Sequence, residues 1–366
     1  MDKNDFNTVK GIGIFMVVFG HVCSNFPSLV GFFYLFHLSL FFFVSGYLWN
    51  EEKYGDNPWQ NFAARIKNTW ERYFFAAATF VLLHNWFIDI GVLVNVERHT
   101  KDQMVISLIT SSMLNCTEIM ASAMWFIPLV VISSTVFSAF VMLGRKIEGK
   151  FSNRNCKYLL IAVLSVLSGI LGHYTTSRGW GFHYNMQVTF LVIPIYAAAY
   201  FLRNAISDIK RCLKWYLALP LCVLLVYGMR NFNWVVELSR YQVCESLWIF
   251  CLVSFSGIYV SLYVAKLIGK VKYLSSYFRY IGTYSFEIMA WHLLVVKLVD
   301  VCYAKIIGET NVQVYGVFTN AYASKLWFMY LILGTLIPAT GAHFMYGLKR
   351  RVETKRASAI GKDVAI

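Results

Sequence analysis

The chain has 366 residues, 58% of them hydrophobic, 17% aromatic and only 14% charged, with a formal net charge of +14. A soluble domain is nearer half apolar and a quarter charged, so this balance, with a mean hydropathy of +0.54, excludes an ordinary soluble fold and points to an all-α, polytopic membrane bundle. Nucleic-acid binding is set aside as well, because basic residues in the short loops of a membrane protein follow first from the positive-inside rule.

Apolar runs near the twenty residues that cross a bilayer fall at residues 8–26, 29–49, 73–94, 121–143, 158–173, 186–202, 215–229, 244–265, 280–300 and 325–348. About ten transmembrane helices are therefore expected. The segment 104–116 is too short to cross and is expected to lie at the interface or to re-enter. Acidic residues precede the first run and no small-residue cleavage site follows it, so that run reads as a retained span rather than a leader. With the N-terminus inside, the cytoplasmic connections hold most of the 33 lysines and arginines, and only Arg98, Lys101, Arg178, Arg230, Arg240, Lys297, Lys305 and Lys325 fall on the other side or near outer span ends. Both termini are expected in the cytoplasm. The chain divides into a membrane domain, residues 1–348, and a basic tail, residues 349–366. The eight cysteines show no metal-ligand spacing and read as small buried hydrophobes, so no metal is expected.

Chemistry concentrates in the first two runs. Eleven residues separate Lys10 from His21; at about 100° and 1.5 Å per residue that is three turns plus roughly 20°, or about 16 Å, so cation and imidazole share one helix face. Lys10 sits where the helix leaves the membrane. His21 lies inside it, where an ionisable side chain is costly and marks a functional hypothesis by default. Counted from the outer ends of their runs, His21, His37 and His292 lie roughly 8, 12 and 12 Å deep, one layer in the outer half. Ser285 shares a face with His292, seven residues on, whereas Glu287 points about 140° away and reads as a salt-bridge partner near the cytoplasmic boundary. His84, inside the third run, is expected to be structural.

The pairing of Lys10 with His21, the segment FHLSLFFFVSGYLW (residues 36–49), the Trp125-Phe126 pair and GTYSFEIMAWH (residues 282–292) stand in the order seen in the acyltransferase-3 family, which the chain resembles over almost its whole length. The likeness is nearest to its fucose 4-O-acetylase-like branch. The resemblance implies an integral membrane O-acyltransferase that takes an acyl group, usually acetyl, from cytoplasmic acyl-CoA to a sugar of a surface polysaccharide, in the plasma membrane of a bacterium. It also implies a catalytic role for His21 and a donor-side role for Lys10. Many members carry two arginines three apart before the third span. Here Arg72 follows Thr69 at the earlier place, with Arg65 and Lys67 nearby as the other cation.

Such residues suit the reaction. Moving an acyl group from a thioester to a hydroxyl requires a base for the hydroxyl proton and stabilisation of the oxyanion, and histidine is the usual base. His37, His292, Ser285 and Trp125 are then candidates for positioning the acceptor or supporting the site, with helix packing an equal reading for the two histidines. Lys10, Arg72 and Arg65 are candidates for the phosphates of acyl-CoA. A transporter or flippase of lipid-linked sugars shares the span count and the intramembrane ionisable residues, and is the alternative. A polysaccharide polymerase is disfavoured by the short outer connections.

Overall fold

The computed structural model describes residues 1–309, 320 and 322–363, with side chains as far as 354; Lys355, Arg356 and Lys362 of the expected basic tail lie beyond the described side chains. Among the described residues there are helices and no strands. In chain order the helices are α1 (Lys3–Val22), α2 (Pro27–Tyr34), α3 (His37–Tyr47), the short α4 (Glu51–Tyr54), α5 (Pro58–Asp89), α6 (Lys101–Ser112) and, after a 3₁₀ segment Ile119–Trp125, α7 (Phe126–Phe151). They continue with α8 (Arg154–Ser177), α9 (Met186–Ala205), α10 (Trp215–Asn231), α11 (Leu247–Ile268), α12 (Lys272–Thr283), α13 (Ser285–Ile306) and α14 (Ala323–Asp363).

Among the described residues six segments are long and apolar enough to cross a membrane: Pro27–Tyr47, Ile119–Phe151, Arg154–Ser177, His183–Ala205, Leu247–Ile268 and Ala323–Thr354. The other four expected crossings fall on α1, α5, α10 and α13. Of these, α10 has only 17 residues, and the other three carry charges along their length, such as Lys10, Arg72 and Lys297. Large apolar side chains face outwards, for example Leu159 and Leu167 on α8, Trp215 and Val223 on α10, and Phe328 and Phe344 on α14. An exterior of this kind belongs in lipid. The expected interfacial segment forms α6, twelve residues with only Ser111 buried and Val105, Ile106 and Ile109 exposed, too short to span.

Helix α1 is the axis of the bundle. It starts at a reciprocal cap in which the Asp5 N–H donates to Asp2 at 2.9 Å and the Asp2 N–H donates to Asp5 at 2.7 Å. Between Lys10 and His21 it is apolar on every face, as a helix enclosed by others must be. Around it stand α3, α11, α12, α13 and α14. Two glycines let α12 press against it: a Cβ at Gly282 would lie 1.8 Å from the Asn7 carbonyl oxygen, and one at Gly11 would lie 2.0 Å from that of Phe278. Small residues at such crossings bring backbones into van der Waals contact where no hydrophobic effect drives helices together.

Three expected runs differ from the structure. The run 280–300 is broken at Tyr284, whose ψ of +26° ends α12 and starts α13. The buried side of α12, with Ile281 and Gly282, packs along α1, and α13 then runs on to Ile306. Asp300, expected at a span end, is consequently buried. The run 29–49 is broken between Tyr34 and His37. There the Phe33 carbonyl accepts the His37 Nδ1–H at 3.1 Å and the Phe36 N–H at 3.2 Å, so a side chain stands in for the helical bond lost at the break. The third-span helix, α5, begins at Pro58 with an Asn57 cap, so Arg65 and Arg72 lie on one continuous helix. The expected domain boundary at 348 falls inside α14, and Cys212 and Cys302 are exposed rather than buried.

Candidate active site between a basic mouth and paired histidines

One end of the bundle gathers the charges. The N-terminal amine lies 3.6 Å from Asp208, Lys210 pairs with Asp5 at 2.6 Å, Lys349 with Glu71 at 2.9 Å and Arg72 with Glu287 at 3.2 Å. These contacts tie the N-terminal segment to the connection after α9, and the middle of α5 to the start of α13 and the described end of α14. Near them the α4 loop is fixed by Glu51, which accepts hydrogen bonds from Tyr200 at 2.5 Å and Lys157 at 3.0 Å. Burial alone would raise the Glu51 carboxyl, but those two bonds together with the charges of Lys157 and Arg145 outweigh it and hold its pKa below the ordinary value.

Two cavities open from this end. The more polar, of about 310 Å³, is lined by Asn50, Tyr54, Arg65, Asn68 and Arg72 among others; the more apolar, of about 290 Å³, is lined by Lys10, Ile14, Phe41, Ser45, Arg65, Phe126, Ser285, Phe286 and Met289 among others. Leu48, Arg65 and Thr69 line both, so together they form one path from a basic mouth into the bundle. Arg65 sits at the junction, where its guanidinium donates to Ser45 Oγ at 3.2 Å and the Tyr196 hydroxyl at 3.4 Å. Among the described residues neither Arg65 nor Lys10 forms an ion pair. Arg72 differs: besides Glu287, its guanidinium stands 4.5 Å from the centre of the Phe286 ring. The expected salt bridge of Glu287 is thus with Arg72, and Tyr346 also donates to that carboxylate.

At its inner limit the path reaches Met289, one turn from His292. His292 is fully buried, and its Nδ1–H donates to the carbonyls of Ile288 at 2.9 Å and Met289 at 3.1 Å. That fixes the tautomer: Nε2 carries the lone pair, and no hydrogen-bond partner for it occurs among the described residues. The His21 ring lies 5.2 Å from the His292 ring, centre to centre, and the His21 carbonyl accepts from the Asn320 amide at 2.9 Å. His37 is linked to this pair through Tyr34, whose ring packs 4.8 Å from His37 and occupies the space a Cβ at Gly20 would fill.

The structure therefore brings His21 and His292 together with His37 close by, and gathers Lys10, Arg65, Arg72 and Ser285 at the other end of one path. Trp125 does not line it; it packs on the apolar core beside Phe126, which does. Lys67 is exposed and lines neither cavity.

A family model described as an acyltransferase domain, that of acyltransferase-3, matches residues 3–333. The chain belongs to the acyltransferase-3 family. No curated protein and no solved structure matches it. The family sets acyl transfer by a membrane protein as the activity class and leaves the transporter reading without support.

Two further groups in this acyltransferase-3 chain were given no role from the sequence. Thr69 falls between Arg65 and Arg72 at four-residue and three-residue steps, a stripe readable once α5 is known to be helical there. A second group is the Lys297–Asp300 pair at 3.3 Å, both residues at most 1% exposed, with the buried Tyr330 hydroxyl donating to the same carboxylate. Its signal was a Lys and an Asp three apart inside an apolar run, which the expected span end at Asp300 concealed.

Proposed function

We propose that this acyltransferase moves an acyl group, in the first instance acetyl, from cytoplasmic acyl-CoA to a sugar hydroxyl of a cell-surface polysaccharide or its lipid-linked precursor, in the plasma membrane of a bacterium. The observation that carries the reading is the continuous path from the cations Lys10, Arg65 and Arg72 to Met289, beside the His21–His292 pair. The phosphates of the donor need cations, and its thioester arm needs a narrow, largely apolar passage. Both are supplied in that order. In this reading the acceptor hydroxyl reaches the histidines from the opposite end. His21 takes its proton as the oxygen attacks the thioester carbonyl, the carbon–sulfur bond breaks, and the proton passes on to the CoA thiolate, leaving His21 neutral. The lone pair on His292 Nε2 accepts a hydrogen bond from a neighbouring hydroxyl of the sugar and so orients the attacking one, and Ser285 and His37 line the approaches.

The product is the direct test. Membranes containing the protein, given acetyl-CoA with a deuterated acetyl group, should pass the label to surface polysaccharide in an alkali-labile ester found by mass spectrometry. Label entering neither polysaccharide nor its lipid-linked precursor would reject this acceptor class.

Orientation is the second requirement. We place both termini and the basic mouth in the cytoplasm, with about ten crossings, on the distribution of Lys and Arg. Single cysteines in an otherwise cysteine-free protein should be shielded from an impermeant maleimide in intact cells at Lys53, Arg145, Lys210 and Lys270, and labelled at Arg178 and Arg240. Labelling of both sets from one side would overturn the placement.

A further inference from the structure

At the histidine end of α5, sharing no residue with the two cavities, His84 of α5, His99 of the connection to α6 and Glu118 before the 3₁₀ segment bring their ring nitrogens and carboxylate within 4.8 Å of one another. We propose that these three residues form a divalent-metal site, zinc by preference, coordinated by His84 Nδ1, His99 Nδ1 and the Glu118 carboxylate, which clips the connection and the 3₁₀ segment to α5.

Hydrogen-bond accounting carries the argument. His84 Nε2 lies 3.0 Å from the Glu97 carbonyl oxygen, which can only accept, so Nε2 holds the proton. In a neutral ring Nδ1 is then a bare lone pair, yet it lies 2.9 Å from Glu118 Oε2. His99 Nδ1 lies 3.2 Å from the other oxygen, Oε1. On the neutral His84 ring an acceptor therefore faces a carboxylate, so a positive centre belongs between them. Among the described residues no Lys or Arg pairs with Glu118, and the His84 and Glu118 side chains are 2% and 1% exposed. A proton at this place would leave a buried imidazolium–carboxylate pair, whose desolvation is costly. A metal ion uses the same atoms without charging the ring. The Nε2–H to carbonyl bond is moreover the contact that metal-binding histidines characteristically make with their other nitrogen. Two imidazoles and one carboxylate form a zinc donor set with a fourth position left to solvent, and the 23% exposed His99 side chain provides access.

The ligands are held in place beforehand. Asn85, next to His84, accepts the His99 N–H at 2.8 Å and donates to the His99 carbonyl at 2.9 Å. Arg98 pairs with Asp89, and the Glu97 carbonyl is held by His84. The two rings stack with centres 3.6 Å apart and 3° between planes, so a shared ion requires one ring to turn out of the stack, and the partly exposed His99 is the one with solvent beside it.

The test reads metal and does not depend on acyl transfer. The full-length protein, purified in detergent without chelator and dialysed, should retain about one zinc ion per chain by elemental mass spectrometry. Loaded with Co²⁺ it should show the intense visible bands of a four-coordinate site. His99→Ala changes a partly exposed side chain while keeping the backbone clamp of Asn85, and it should lose both signals; Glu118→Gln keeps the shape and should also lose them. Added zinc should raise the Tm of the dialysed wild type and not that of His99→Ala. Wild type that neither retains zinc nor gains Tm from it, or variants that bind as much metal as wild type, would overturn the site and assign the positive centre to a proton on His84.

Discussion

His21→Ala protein, present in the membrane at wild-type abundance, is expected to transfer acyl groups at least about 10²-fold more slowly, the lower figure for the loss of a general acid–base. The substitution removes a half-buried ring at the end of α1 and leaves in place the backbone contact in which the Asn320 amide donates to the His21 carbonyl. Folding should therefore survive. Its effect should fall on turnover with the apparent KM for acyl-CoA little changed, because Lys10 lies about 16 Å away along α1 and Arg65 and Arg72 lie with it at the far end of the path. His292→Gln provides the contrast. The amide can still hydrogen-bond a sugar hydroxyl and His21 remains as the base, so turnover should fall far less than in His21→Ala and the loss should appear mainly in the acceptor KM. Initial rates in membrane vesicles, normalised to protein by immunoblot, measure both, because reduced abundance would otherwise imitate slow chemistry. Near-normal transfer by well-expressed His21→Ala would end the assignment of the base to His21.

How much of this was legible beforehand follows from which signals are local. The helical class and the apolar runs rest on composition and hydropathy alone, and each expected run overlaps a helix. The shared face of Lys10 and His21 also needs nothing beyond helix geometry, and the structure sets the two residues towards opposite ends of α1. Breaks were hidden. Neither Tyr284 nor the turn at Leu35 and Phe36 contains proline or glycine, and each is fixed by tertiary demands: α12 must lie against α1 through Gly11 and Gly282, and the His37 ring must reach the Phe33 carbonyl. Common depth could suggest the ring contact of His21 with His292, 271 residues apart in the chain, but depth alone leaves open which helices are neighbours. His84, His99 and Glu118 were still less visible, because residues from a helix, a connection and a pre-helical segment meet only after α5 and α6 have folded back on each other. Glu287 shows the opposite case. Its direction on the helix, away from His292, was readable from spacing, and its partner Arg72 was not.

Arg65→Gln and Lys10→Gln are expected to raise the apparent KM for acyl-CoA by about tenfold or more, since a hydrogen bond to a charged group contributes about 1.5–3 kcal/mol. Both cations line the path and lack an ion-pair partner among the described residues, so their charge is available to an incoming phosphate. Arg72 is engaged already. Replacing it with Gln strips the 9% exposed Glu287 side chain of its counter-ion, so Arg72→Gln should lower abundance as well as donor affinity. Glutamine retains donors at each site, so the comparison isolates charge. Initial rates against acyl-CoA at fixed acceptor, then the converse, separate the two substrates. An acyl donor lacking the 3′-phosphate extends the test. If Arg65 holds that phosphate, the wild-type enzyme should lose affinity for the shortened donor while Arg65→Gln loses no more, the non-additivity expected of two partners in one contact. Additive losses would move Arg65 to the diphosphate, and an unchanged KM in both Arg65→Gln and Lys10→Gln would return these residues to anchoring the helix ends.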